Sequence, residues 1–193
     1  MARTREFDED QVLNAAMQLF WEKGYEATSL SDLTSRMGIQ RPSIYSTFGD
    51  KKELFEAALR KYNMSRASEV RTKLQSYSSI QEAFANFFAD IINDGYTEEL
   101  NKGCFCINTM VELAPHDEKF EILTREHQMY LTVIFQETIE RGIKTGELEV
   151  NTDAKALAQS LIVALIGLTV MMKSRPQRSF IDNAIATTLT LLR

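Results

Sequence analysis

Cysteine, histidine, proline and glycine are all scarce in this chain of 193 residues, numbering two, two, three and eight. Cys104 and Cys106 are the only cysteines, and two positions apart on a helix their Cβ vectors diverge, so they build no disulfide framework. The histidines, His116 and His127, stand in no Ser/His/Asp or Cys/His order, and no glycine-rich phosphate loop is present. No catalytic residue is therefore assigned. Glu112, His116 and Asp117 are the one conceivable ligand group, but beside Pro115 they read as a helix end and the next helix cap, so no metal or cofactor is expected. The few glycines and prolines exclude a collagenous or low-complexity chain. Long apolar runs are missing as well. The longest, residues 161–172, already contains Gly167 and Thr169; it falls short of the roughly 20 residues that span a bilayer and reads as a buried helix. No apolar segment follows the start MARTREFDED, so neither a secretory signal nor a membrane partner is expected, and the expected compartment is the cytoplasm.

What is present is ordinary for a globular chain: 44% hydrophobic and 25% charged residues. The length fits one domain, or a small module joined to a larger one. The net charge of −5 is unevenly spread. Residues 36–61 carry Arg36, Arg41, Lys51, Lys52, Arg60 and Lys61 against Asp50, Glu53 and Glu56, a local +3 on a body of −8. A short basic segment on an acidic body points to a polyanion contact confined to one place, or to a solvated charged face.

Helix-start signals organise the first sixty residues. Asp8-x-x-Gln11 predicts a capping box, with Phe7 and Val12 as its hydrophobic staple. Val12, Ala15, Ala16, Leu19 and Phe20 follow at helical spacing, and Gly24 is expected to end the helix in the left-handed conformation. Thr28 and Ser29 offer caps for a second helix with Leu30, Leu33 and Met37 inward and Gly38 at its end. Segment 41–48 carries Pro42 in its first turn and turns Ile44 and Phe48 inward. Gly49 stops it, and Asp50-x-x-Glu53 opens a long helix through Leu54, Phe55, Ala58, Leu59 and Tyr62. Two short helices joined by a tight glycine turn, braced by a longer one in front, form a helix-turn-helix unit. Further on, Ser79-x-x-Glu82 predicts a capping box, Gly103 precedes an apolar run stopped by Pro115, and helices are expected near 120–145, 153–172 and 180–192, with Gly142 and Gly146 at a frayed end. The fold class is all-α, with no convincing strand.

In a helix-turn-helix the second helix enters the major groove and its N-terminal residues reach base edges. Those positions are Gln40, Arg41, Pro42 and Ser43, with Ser46 also facing the groove. Arg41 is the strongest candidate, since its guanidinium can make two parallel bonds to guanine O6 and N7. Thr28 and Ser29 sit at a helix N-terminus, where free N–H groups favour a phosphate, and Thr47 is a further phosphate candidate. The alternative is a plain cap for Thr28 or Ser29. Arg3 and Arg5 precede the first helix, either as a DNA-contacting arm or as a contact-free tail.

The stretch VLNAAMQLFWEKGYEATSLSDLTSRMGIQRPSIYSTFGDKKELF resembles, without a gap, the N-terminal DNA-binding domain of the TetR family of bacterial transcriptional regulators. Gly24-Tyr25 before Thr28-Ser29, the Gly38 turn, Tyr45-x-x-Phe48 and Lys51-x-x-Leu54 carry the resemblance. Pro42 departs from the glycine or small residue of many relatives and is placed to lie against a thymine methyl. The resemblance implies a one-component repressor: a DNA-binding domain over residues 1–50, a helical ligand-binding and dimerisation domain over 51–193, and phosphate contacts from Tyr45 and Lys51. On the residues alone, Tyr45 could equally pack against the first helix. The implied partners are double-stranded DNA with an inverted-repeat operator, a small-molecule effector and a second copy of the chain paired through its last two helices.

Phe84, Phe87, Phe88, Phe105, Met110, Phe120, Met129, Tyr130 and Phe135 supply core bulk. By family analogy Phe84, Phe88 and Phe105 line the effector pocket, with Asn108, Glu112 and His127 as polar contacts. Cys104 and Cys106 read as small core residues. Gly103-Cys104 is nevertheless similar to the Gly-Cys with which some TetR-like regulators sense oxidants or electrophiles, which leaves a thiol-sensing repressor as an alternative. A helical enzyme, or a sensor without DNA binding, is the alternative of another class, separated by retention on DNA at low salt.

Overall fold

The computed structural model describes residues 7–97 and 101–193; Arg3 and Arg5 lie outside the described residues. The described residues form helices α1 Glu9–Lys23, α2 Leu30–Met37, α3 Arg41–Phe48, α4 Lys51–Gln75, α5 Ile80–Thr97, α6 Phe105–Glu112, α7 Glu118–Thr145, α8 Ala154–Met172 and α9 Arg178–Leu189, then a 3-10 turn, Thr190–Leu192, and no strand.

Local chemistry sets most boundaries. The Asp8 carboxylate accepts from the amides of Asp10 and Gln11 at the start of α1. Reciprocal capping boxes, Ser29 with Asp32 and Asp50 with Glu53, open α2 and α4. Gly38 ends α2 in the left-handed region, at φ 68° and ψ 21°. Gly24 differs from expectation. Its φ is 85° but its ψ is 172°, so the chain leaves α1 extended and not in a left-handed turn, a conformation open essentially to glycine.

Other long-range contacts overrule local signals. Ser79 accepts from the Glu82 amide, but the reciprocal partner is Glu147, whose carboxylate accepts from the Ser79 hydroxyl at 2.7 Å and the Ile80 amide at 2.9 Å. Gly142 is not a frayed end. It lies buried within α7, where a Cβ would stand 2.6 Å from Ile80, so α5 and α7 approach closely there. Met129 and Tyr130 are exposed and lie outside the core.

Two apolar clusters hold the molecule. One fills the body between α4, α5, α7, α8 and α9 around Phe84, Phe87, Phe88 and Phe135. The other joins α1, α2, α3 and the first half of α4 to α6 and the start of α7. At its centre Phe55 makes edge contacts with Phe20, Tyr25, Phe105 and Phe120 at ring separations of 4.8 to 5.3 Å. The helix-turn-helix and the body therefore share one core.

α8 is buried on one face only, which corrects the expectation of a buried helix. Its 19 residues are long and apolar enough to cross a membrane by length and composition, a test that core helices of soluble proteins also pass. Leu161, Ile162, Leu165, Leu168 and Met172 pack inward, whereas Val163 is 70% exposed and Gly167, Val170 and Met171 also face out.

Candidate nucleic-acid interface and the cavities behind it

The outer face of α3 is built by subtraction. Ile44 is fully buried and Phe48 packs on the same cluster, which leaves Gln40, Arg41, Pro42, Tyr45 and Ser46 exposed and Ser43 and Thr47 half-exposed. Tyr45, at 52% exposure, presents its ring to solvent and not to α1. The Ser46 hydroxyl donates back to the Ser43 carbonyl.

Ion pairing separates the cations of the basic segment. Arg36 pairs with Glu22, Lys52 with Asp117, Arg60 with Glu56 and Lys61 with Asp10. Among the described residues only Arg41 and Lys51 of this segment lack a carboxylate partner: Arg41 donates to the Ser31 hydroxyl at 2.8 Å, and the Lys51 ammonium lies 4.2 Å from the centre of the Tyr25 ring. The two positions marked for base readout and phosphate contact are thus the two whose charge is uncompensated. Ser31, which the sequence reading passed over, holds the guanidinium at the front of the unit.

Of the two readings of Thr28 and Ser29, the structure shows the cap at Ser29, whose hydroxyl accepts from the Asp32 amide. Thr28 is 1% exposed and its hydroxyl donates to the Gly24 carbonyl at 2.6 Å, so its side chain faces inward and not toward a phosphate. At the α2 N-terminus the anion site is occupied by Asp32. Hydrogen bonds from the Ser29 hydroxyl and amide, with Lys23 3.0 Å away, hold its carboxyl well below the usual carboxylate range.

Of the six expected pocket residues, only His127 lines the cavity inside the body. Phe84 and Phe88 are interior core, and Phe105 belongs to the shared aromatic cluster. Asn108 is spent on packing contacts, donating to the Lys102 carbonyl and accepting from Lys173. The Glu112 carboxylate reaches the helix-turn-helix instead: it accepts from the Tyr25 amide at 3.2 Å and the Glu26 amide at 3.0 Å, against Gly24. The segment before α6 grips α1 too, since the Trp21 indole N–H donates to the Gly103 carbonyl at 3.0 Å and the Lys102 ammonium lies 4.8 Å from the Trp21 ring. The chain before α6 and the end of α6 are both fastened to the DNA-binding unit.

Behind α6 lies a small chamber of about 40 Å³ with apolar walls that include Val70, Phe87, Leu131, Ile162 and Leu165. Arg66, Cys104 and Thr169 line both it and a cleft of about 510 Å³ between α1, α4 and α5. His127 also borders a groove of about 500 Å³ between α4 and α7. Burial lowers the His127 pKa to about 4, with the Arg66 charge acting in the same direction, so the imidazole is neutral. Cys104, half-buried, accepts from the Tyr62 hydroxyl at 3.4 Å; Cys106 is buried, and burial pushes its thiol well above the usual range. No group of three or more His, Cys, Asp or Glu among the described residues could hold a metal ion.

Comparison with known proteins agrees with this architecture. Residues 12–58 match the family described as bacterial regulatory proteins, tetR family, and residues 81–188 match the tetracyclin repressor-like C-terminal domain. The chain is 33% identical to the uncharacterized HTH-type transcriptional regulator YezE of Bacillus subtilis (strain 168), across 100% of both chains. It is 32% identical to the HTH-type transcriptional repressor ComR of Escherichia coli (strain K12), covering 98% of this chain and 90% of that one. A cysteine-substituted TetR family transcriptional regulator CifR, solved in complex with double-strand operator DNA, superposes with a TM-score of 0.83 at 32% identity, covering 99% of this chain and 98% of that one. With both family matches falling on the two units joined by α4, this chain belongs to the TetR family of helix-turn-helix transcriptional regulators.

Proposed function

We propose that the protein is a cytoplasmic repressor that binds an inverted-repeat operator as a homodimer and is released by a small molecule lodged behind α6. The proposal keeps the division after residue 50, with base contacts from Gln40, Arg41, Pro42, Ser43 and Ser46 and phosphate contacts from Tyr45, Thr47 and Lys51. It contains no catalytic step. The observation that carries it is the coincidence of the two unpaired cations, Arg41 and Lys51, with the exposed face of α3 and the start of α4. Dimerisation is supported by continuous outward stripes: Val163, Gly167, Val170 and Met171 on α8, and Phe180, Ala184 and Leu191 on α9 and the turn after it. Apolar surface on two adjacent helices is what a four-helix subunit interface buries. Release is supported by α6, which borders the chamber and carries Glu112 at its far end. A ligand lowers DNA affinity only if it binds the DNA-incompetent arrangement better, and linkage then makes DNA weaken ligand binding by the same factor.

The test is to sequence DNA selected by the purified protein and to footprint the site. An inverted repeat with half-sites about one helical turn apart, or a small multiple, is expected; a single asymmetric half-site refutes the dimeric reading. Cys104 supports a second reading, because it lines both chamber and cleft. Release of the operator by N-ethylmaleimide, abolished by Cys104→Ser, would select the thiol-sensing repressor.

A further inference from the structure

Arg66 borders the chamber, the cleft against α1 and a groove between α4 and α5. Among the described residues it is the one charged side chain lining the chamber. Its only ion pair there is a 3.4 Å contact with Glu69, more than half of whose side chain is exposed, a weak interaction in water. A guanidinium facing an apolar chamber with so little compensation favours an anion, and its planar donors fit a carboxylate with two parallel bonds.

The second observation is His127. The residue is 6% exposed, it lines the same chamber, and its Nε2 has no hydrogen-bond partner. A buried ring nitrogen left unpaired is costly, so a ligand that pairs with it recovers that cost on binding. Apart from Cys104, Cys106, Gln128 and Thr169 the remaining walls are hydrocarbon, and the chamber of about 40 Å³ holds about one water, while effector pockets run to roughly 300 Å³ or more. An occupant must therefore part the helices as its apolar end goes in, and the 510 Å³ cleft, which shares Arg66, Cys104 and Thr169 with the chamber, offers room for the rest of it.

Resting on the reading of the protein as an effector-controlled regulator, we propose that the effector is a monocarboxylate with a compact apolar body, its carboxylate held by Arg66 and by the Nε2–H of His127 and its hydrocarbon in the chamber. A neutral imidazole carrying its proton on Nε2 donates to a carboxylate oxygen, and the two Arg66 bonds complete its contacts. The effector class is thereby set by one cation and one donor at the edge of an apolar space.

Titration calorimetry on the full chain, without DNA, tests this with octanoate and benzoate as probes and methyl octanoate and octylamine as controls. At least one carboxylate should bind, with methyl octanoate at least tenfold weaker than octanoate if octanoate is the binder, and octylamine not measurable. Arg66→Met, which keeps the aliphatic stem, should cost carboxylate affinity at least tenfold while leaving Tm and operator affinity near native; Arg66→Lys should recover part of the loss. His127→Leu should weaken the carboxylate several-fold. Failure of both carboxylates, equal binding of octylamine, or an Arg66→Met protein with native carboxylate affinity overturns the proposal. Carboxylate binding that leaves operator affinity unchanged would instead support the site and refute effector-driven release.

Discussion

Removing the Glu112 carboxylate should uncouple the DNA-binding unit from the body without dismantling either. Glu112 accepts two backbone amides, Tyr25 at 3.2 Å and Glu26 at 3.0 Å, the first half-buried and the second at the surface. Charge-assisted bonds of this kind are worth about 1.5 to 3 kcal/mol when shielded and less in water, so the pair contributes about 1 to 2 kcal/mol. In Glu112→Ala the Glu26 amide turns to water, while the Tyr25 amide is left beside Gly24 with a poorer partner. The shared aromatic core around Phe55 stays intact, so the fold survives with a modest loss of Tm. What changes is the orientation of α1 to α3 relative to α6, which spreads over several arrangements, only some able to seat two recognition helices on one operator. A competent fraction reduced by 1 to 2 kcal/mol lowers operator affinity by about 5- to 30-fold. Fluorescence anisotropy with a labelled operator measures it, and Glu112→Gln, which keeps a neutral acceptor, should fall between native and Ala. Native operator affinity in Glu112→Ala, with native Tm, would show that the contact is ornamental and refute the coupling through α6.

Arg41→Ala should relax sequence preference at one base pair per half-site, whereas Lys51→Ala should weaken all DNA similarly and flatten the salt slope by about one unit per contact; equal, sequence-independent losses would reduce Arg41 to a phosphate contact. Val163→Arg places a charge on the open face of α8, so sedimentation should show monomers and operator binding should fall; an intact dimer would move the interface elsewhere. His127 binds its proton more weakly when folded, its pKa lying at about 4 against an ordinary 6.5. Its contribution is therefore complete above pH 6.5 and is lost as pH falls toward 4, by up to about 3 kcal/mol. Denaturant unfolding across that window should show this slope in the native protein and a shallower one in His127→Leu.

Elements were legible because their signals are short-ranged. A capping carboxylate acts on an amide two or three residues away, a glycine acts on its own φ, and helical spacing repeats within a turn, so Asp8, Gly38 and the Asp50–Glu53 box mark their boundaries in the sequence itself. The outward face of α3 was legible for the same reason, since Ile44 and Phe48 declare the inward one. The tertiary structure alone decided what depended on distant partners. Glu112 meets a turn 87 positions earlier, and Glu147 replaces Glu82 at the cap of α5. Three of six cations in the basic segment, Arg36, Lys52 and Lys61, are neutralised by carboxylates that no local pattern points to, whereas Arg60 pairs with Glu56 one helical turn away. Cavities are the space that packing leaves, so composition singled out the large aromatics, which fill space, while the chamber is bordered by Arg66 and His127 on α4 and α7, whose meeting is a property of the fold.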